Sequence, residues 1–362
     1  METSREKIKV MVVDDSALMR KMIPLILERS SEIEVVATAM DGAFALSKAE
    51  KYRPDVITLD LDMPGMDGLT ALRRLVEDFS IPVVVVSSIT RHGAELAMKA
   101  FELGAMEVVS KPKGALPANM RVISEELIRK VVAAKEGLPS RLRLEARRGA
   151  AAVSSPPRPG QARPAEKVVA IGASTGGPNA LTYMLPSLPR DLPAAVVIVQ
   201  HMPPGFTGTF ASRLRSICRL EVREARDGDH VAAGRILLAP GDAHATLKKT
   251  PAGHVIALSG GVPENGHRPS IDVLFRSVAS EVGPAATGVI MTGMGEDGAG
   301  GIGDIRKAGG RTIAQDEKSS VVFGMARAAI NRGHVDEVVP LEEMAGAIRS
   351  SICGNPGAAI SQ

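Results

Sequence analysis

Short runs of β-branched and aliphatic residues recur along this chain, and each stops at a polar or glycine-bearing turn before a helical pattern begins. In the N-terminal part the runs are Ile8 to Val13, Val35 to Ala37, Val56 to Leu59, Val83 to Val86 and Val108-Val109. Helical patterns separate them, at Ser16 to Arg29, Gly42 to Glu50, Gly68 to Glu77, Gly93 to Leu103 and Arg121 to Lys130. Such alternation predicts a parallel sheet covered by helices on both faces. In a sheet of that kind, residues just past the carboxyl ends of the strands share one crevice.

The residues at those positions carry chemistry. Asp14, Asp15 and Asp60 follow the first and third strands, Ser87 follows the fourth, and Lys111 the fifth. Carboxylates gathered at one crevice repel unless a cation joins them, and hard oxygen ligands suit Mg2+. Lys111 and Ser87 could hold the oxygens of a phosphoryl group placed on one carboxylate. The bland alternative is a set of solvated acidic turns and a surface lysine.

The same grammar returns after residue 167. Val168 to Ile171 reads as a buried strand, and Gly172-Ala173-Ser174-Thr175-Gly176 satisfies G-x-S-x-G, a turn that can expose a nucleophilic serine at a strand tip. Its glycines permit a sharp turn and leave amide groups bare to hold an oxyanion. Ala195 to Val199 ends in Gln200-His201, and Gly288 to Met291 leads to Thr292-Gly293-Met294-Gly295-Glu296-Asp297. Arg311 to Ala314 is the last clear strand, and Ile236 to Leu238 with Val255 to Leu258 is expected to form a hairpin excursion.

Ser174, His201 and Asp297 therefore all follow strand ends. A serine hydroxyl needs an imidazole to take its proton, and the imidazole needs a carboxylate to fix its tautomer. Separately, each has an ordinary reading: Ser174 as a helix N-cap, His201 as a structural residue, Asp297 as a cap of the helix after it. The six other histidines have no comparable support. The order Ser, His, Asp differs from the Ser, Asp, His of α/β-hydrolases, and no Gly-Lys-Ser/Thr follows the glycines to make a nucleotide loop.

Length and composition bound the rest. At 362 residues the chain is too long for one ordinary core. The expected divisions are a unit over 1–128, a basic Pro-rich linker over 129–166, a second unit over 167–353 and a tail over 354–362. The net charge of +3 and the 2% of aromatic residues give no platform for nucleic acid. Two cysteines exclude a disulfide scaffold and a four-cysteine zinc site. The polar N-terminus is not expected to act as a signal peptide, and no apolar run approaches the ~20 residues of a membrane span. A cytoplasmic protein without membrane insertion is expected.

Val12-Val13-Asp14-Asp15-Ser16, Leu59-Asp60-Leu61-Asp62-Met63-Pro64-Gly65-Met66-Asp67-Gly68, Val86-Ser87-Ser88 and Ser110-Lys111-Pro112 resemble a response-regulator receiver domain. The resemblance implies a flavodoxin-like five-stranded parallel sheet. It makes Asp60 the phospho-acceptor, Asp14, Asp15 and Asp60 the Mg2+ carboxylates with the Asp62 backbone carbonyl, and Ser87 and Lys111 the phosphoryl contacts. Receivers often carry an aromatic residue where Val108 stands, so an aromatic readout is not expected here.

The second unit resembles the catalytic domain of the chemotaxis protein-glutamate methylesterase/glutaminase family. The motifs are Ile171-Gly172-Ala173-Ser174-Thr175-Gly176-Gly177-Pro178, Gln200-His201-Met202-Pro203 and Thr292-Gly293-Met294-Gly295-Glu296-Asp297-Gly298-Ala299. Ala239-Pro240-Gly241-Asp242-Ala243-His244, His267-Arg268-Pro269-Ser270-Ile271-Asp272 and Ala314-Gln315-Asp316-Glu317 support them. The resemblance implies a doubly wound, mainly parallel α/β domain with Ser174 as nucleophile, His201 as base and Asp297 as its orienting acid. Thr175 and the Met294 backbone N–H would lie at the oxyanion site. The family often has a cysteine where Ser320 stands, so no role can rest on a thiol there.

The implied activity is hydrolysis of glutamyl methyl esters, and deamidation of particular glutamines, on chemoreceptor cytoplasmic domains. The esterase would need no cofactor, a chemotaxis histidine kinase would supply the phosphoryl group, and the chain would act as a monomer. Two alternatives stay open: a receiver-controlled esterase or amidase acting on a non-chemotaxis protein, and a non-catalytic signalling adaptor.

Overall fold

The computed structural model describes residues 6–63, 66–88, 90–111, 117–137 and 163–353. The chain divides into two compact units, with the division between Ala146 and Arg147. That division, most of the expected linker and the whole expected tail lie outside the described residues.

In the first unit the elements run β1 (Ile8–Val13), α1 (Met19–Leu27), β2 (Ile33–Ala39), α2 (Gly42–Tyr52), β3 (Val56–Leu59), α3 (Gly68–Phe79), β4 (Val83–Ser87), α4 (Arg91–Glu102), β5 (Glu107–Ser110) and α5 (Pro117–Glu136). The strands form one parallel sheet in the order β2-β1-β3-β4-β5. Its central strands β3 and β4 are buried throughout, as their unbroken aliphatic runs require. Asp41, Asp67 and Thr90 cap α2, α3 and α4 by accepting the backbone N–H three residues on. Helix α5 passes the expected boundary at 128 and reaches Glu136, because Val131, Ala133 and Ala134 are buried on its inner face.

The second unit comprises β6 (Lys167–Ala173), α6 (Gly177–Met184), β7 (Ala194–Gln200), α7 (Thr207–Ile217), β8 (Glu221–Glu224), β9 (Arg235–Leu238), β10 (His244–Thr250), β11 (Gly253–Ser259), α8 (Ile271–Val282), β12 (Ala286–Ile290), α9 (Gly301–Lys307), β13 (Arg311–Gln315), α10 (Met325–Asn331), β14 (Glu337–Val339) and α11 (Leu341–Cys353). Seven strands form one sheet, wholly parallel, in the order β14-β13-β12-β6-β7-β9-β8. The expected hairpin is displaced. The strand at Ile236 to Leu238 belongs to the main sheet beside β7, and the antiparallel pair is β10 with β11. Strands β8 and β14 were not expected. Both alternate or lie partly exposed, so neither has the aliphatic run that marks the central strands.

The core of this unit is aliphatic with three fully buried phenylalanines, Phe206, Phe210 and Phe275. Each contributes about 1.5–3 kcal/mol relative to an exposed ring. The order of strands matters most for the site. The order in which strands are added reverses at β6, with β7 on one side and β12 on the other, and this is where a doubly wound sheet opens its crevice.

Candidate active site

Three loops meet at that reversal. The strand ladder continues past the strand ends: the backbone N–H of Ser174 donates to Thr292 O at 3.0 Å, and that of His201 donates to Ala173 O at 3.1 Å. Ser174, His201 and Asp297 are thereby brought together. Ser174 Oγ lies 3.1 Å from His201 Nδ1, and His201 Nε2 lies 2.8 Å from Asp297 Oδ2. All three side chains are buried.

Two ordinary readings of these residues fail on the geometry. The N-cap of α6 is Gly176, with φ 77° and no side-chain capping bond, so Ser174 is not that cap. Asp297 does serve a helix terminus, but that of α8 rather than of the helix after it. Oδ2 accepts the backbone N–H of Ile271 at 2.7 Å, and Oδ1 accepts that of Asp272 at 3.2 Å and the hydroxyl of Ser270 at 2.8 Å. Burial opposes ionisation of Asp297. The hydrogen bond and charge of His201, with the Ile271 N–H and the Asn265 amide, outweigh it and hold the carboxyl well below the usual carboxylate range. An ionised Asp297 fixes the tautomer: Nε2–H donates to the carboxylate, and Nδ1 is left to accept the serine proton.

The frame around the serine is equally specific. Gln200 Nε2 donates to Ser174 O at 2.9 Å and to His201 O at 3.1 Å, tying the ends of β6 and β7. Thr292 Oγ1 donates to Thr175 O at 2.8 Å and accepts the N–H groups of Val321 and Val322, while Gln315 Oε1 accepts the Thr292 N–H. A Cβ at Gly293 would stand 2.7 Å from Ser174 Cβ and 2.4 Å from Met325 Sδ, so only glycine lets this loop reach the serine. Thr175 is buried beside Ser174, and Met294 follows Gly293, half-buried at the same strand ends.

Beside the triad lies a second carboxyl. Burial and the charge of Asp297 push the Asp272 carboxyl up. Asn265 Nδ2 bridges the two, at 2.9 Å from Asp272 Oδ2 and 3.1 Å from Asp297 Oδ1. His267 stacks on His201, with ring centroids 3.8 Å apart and planes 9° from parallel. Neither Asn265 nor His267 stood out as a site residue in the sequence. The Asn-Gly dipeptide at 265–266 marks a tight turn, but nothing local says which strand end the turn faces.

In the first unit, Asp14, Asp15 and Asp60 each offer a carboxylate oxygen within 4.8 Å of the others. Lys111 Nζ pairs with Asp60 Oδ2 at 2.6 Å and with Asp14 Oδ2 at 3.0 Å. Burial pushes the Asp60 carboxyl up despite that pairing, while the two carboxylates raise Lys111 against its own burial. Ser87 Oγ donates to Gly93 O at 3.4 Å. Asp62 is exposed at the start of the loop after β3, its N–H 3.3 Å from Asp60 Oδ1. Val108 is buried within β5, and Lys130 Nζ donates to its carbonyl at 2.7 Å.

The sequence matches the CheB methylesterase family over residues 169–348 and the response regulator receiver domain over residues 10–119. A Koribacter versatilis protein named protein-glutamate methylesterase/protein-glutamine glutaminase 2 is 50% identical over 342 residues, 93% of this chain and 94% of that protein. A Salmonella typhimurium protein-glutamate methylesterase/protein-glutamine glutaminase is 47% identical over 338 residues, 93% of this chain and 95% of its own length. The crystal structure of the Thermotoga maritima CheB methylesterase catalytic domain superposes with a TM-score of 0.50 at 40% identity, covering 51% of this chain and 97% of that one. With a receiver domain in front and this strand-end site behind it, the chain belongs to the protein-glutamate methylesterase/protein-glutamine glutaminase family.

Proposed function

We propose that this chain is a phosphorylation-regulated serine esterase that demethylates glutamyl γ-methyl esters on chemoreceptor cytoplasmic domains and deamidates specific glutamines there. The observation that carries the reading is the continuous hydrogen-bonded path from Ser174 Oγ through the His201 ring to an ionised Asp297. Ser174 Oγ attacks the ester carbonyl carbon and its proton passes to His201 Nδ1. Asp297 stabilises the imidazolium. The backbone N–H of Met294, with Thr175, receives the oxyanion. Collapse expels the methoxy group, protonated from Nδ1, as methanol. Water then attacks the acyl carbon as His201 takes its proton, and collapse breaks the bond to Ser174 Oγ, which recovers the proton from Nδ1 and releases the glutamate carboxylate. A glutamine amide follows the same course with ammonia as leaving group. None of these steps calls on a metal or cofactor.

In the receiver, Asp60 is the phospho-acceptor, and the phosphodonor is a chemotaxis histidine kinase. Three converging carboxylate oxygens are a donor set that fits Mg2+. Asp14, Asp15 and Asp60 would hold the ion with the Asp62 carbonyl, and it would supply charge neutralisation for the incoming phosphoryl oxygens. Lys111 stays beside Asp60 to pair with the phosphoryl group, and the Ser87 hydroxyl turns from Gly93 O to donate to it. No helix among the described residues is long and apolar enough to cross a membrane, and the chain acts as a cytoplasmic monomer on the receptor's cytoplasmic face. The deciding experiment measures methanol release from methylated receptor with and without acetyl phosphate. Release that rises with the phosphodonor is expected; no release from receptor, with hydrolysis of some other ester, would make the substrate a non-chemotaxis one.

A further inference from the structure

The loop from β11 to α8 carries two side chains that take no step in the mechanism above. His267 lies parallel to the His201 ring at 3.8 Å. Asn265 donates to both Asp297 and Asp272, and among the described residues it is the one side chain that does so. Both side chains issue from a single tight turn. Glu264 and His267 exchange backbone hydrogen bonds of 3.1 and 2.9 Å, and between them Asn265 and Gly266 have φ of 53° and 75°. Two successive left-handed residues make the turn that Asn-Gly favours, so the directions of residues 265 and 267 are set by the backbone.

The turn is also held from outside. The Glu264 carboxylate accepts from Arg276 of α8 at 2.6 Å. Arg268 donates to the carbonyls of Gly260 and Gly261, at 3.2 and 2.8 Å, and to Asp242 at 2.8 Å. A turn pinned at both ends, beside a catalytic pair, places its side chains with little freedom.

We propose that His267 and Asn265 are positioning residues for the Ser174 reaction: His267 fixes the plane of the His201 ring, and Asn265 fixes the Asp297 carboxylate against Nε2. The torsion that turns an imidazole about its Cβ–Cγ bond is soft. His201 must nevertheless keep Nδ1 on Ser174 and Nε2 on Asp297 at once, and a parallel ring at van der Waals distance blocks rotation. When His201 takes the serine proton, the cation meets an aromatic face rather than solvent. Asn265 complements this from the other side. Asp297 and Asp272 are neighbouring carboxylates, and the amide bridging them keeps Asp297 turned toward His201.

This inference rests on the esterase reading, so two readouts are taken on the full-length chain. One is methanol release from a methylated receptor fragment. The other is the rate at which a fluorophosphonate labels Ser174, in which Oγ bonds phosphorus, fluoride leaves and the serine proton passes to His201. His267→Ala and Asn265→Gly are expected to lower both kcat and the labelling rate by roughly 10- to 100-fold, the loss typical of a small misplacement. KM should stay within about twofold, because neither residue is assigned to substrate binding. Asn265→Gly keeps the left-handed turn open, and His267→Phe, which restores a flat ring, should recover most of the rate. Variants that label and turn over at the wild-type rate would overturn the inference, as would His267→Phe as slow as His267→Ala. A wild-type chain labelled at Ser174 but inert toward receptor would overturn the substrate assignment alone, with the labelling comparison still deciding the roles of His267 and Asn265. A wild-type chain that does not label would overturn both.

Discussion

His201 Nε2 lies 2.8 Å from Asp297 Oδ2, on the far side of the ring from Ser174, and the same oxygen accepts the N–H of Ile271 at 2.7 Å. The carboxylate that orients the imidazole is therefore itself oriented by a helix terminus, where the first N–H groups of a 12-residue helix, having no partner within the helix, favour negative charge. Ser174→Ala should reduce methanol release by about 10⁶-fold, and Asp297→Asn by a milder factor of roughly 10⁴, since the amide loses the charge and can invert the tautomer. Both should stay folded, and near-wild-type release from either would remove the proposed path.

Asp60→Asn keeps the shape of the side chain and removes its nucleophilic charge. Acetyl phosphate should then no longer phosphorylate the chain or raise esterase activity, while basal release persists because Ser174, His201 and Asp297 belong to the other unit. Chelation of Mg2+ should have the same selective effect on the wild type. Phosphate uptake by Asp60→Asn at the wild-type rate would place the acceptor elsewhere.

A signalling input needs a restrained state to change. Deleting residues 1–160 should therefore raise esterase activity above that of the unphosphorylated full-length chain. A tenfold gain from a mostly restrained population corresponds to about 1.4 kcal/mol of differential stabilisation. A folded fragment slower than the unphosphorylated chain would show that the receiver does not inhibit.

Acid stability should depend on Asp336. Its carboxylate accepts from Thr312 N–H and Oγ1, each at 2.9 Å, and from Arg306 Nε at 2.8 Å. Burial would raise this carboxyl, but the Thr312 and Arg306 hydrogen bonds hold it below the usual range. A folded-state value below the unfolded one of about 3.9 gives stabilisation that is complete above that value and lost as pH falls through the folded one. Asp336→Asn should cost about 0.5–1.5 kcal/mol near neutral pH, because solvent reaches this residue and screens its charge. The difference in urea midpoints should shrink below about pH 4; a constant difference into stronger acid would contradict the assignment.

What the sequence determined by itself was local: where strands end, and what stands there. Val168 to Ile171 before Gly172-Ala173-Ser174, or Val56 to Leu59 before Asp60, can be read because an aliphatic run and its polar terminator are adjacent in the chain. Pairing partners are not local. Arg235–Leu238 has the same buried aliphatic character whether it joins a hairpin or a parallel sheet, and only packing against β7 decided for the sheet. Likewise, nothing near Asp297 in sequence announces that it caps α8 from 25 residues away, or that the turn at Asn265-Gly266 faces His201 and not solvent. Those choices follow from which strands flank β6. The tertiary structure therefore decided the ring nitrogen that faces Ser174, the donors that keep Asp297 charged, and the second imidazole stacked on the first.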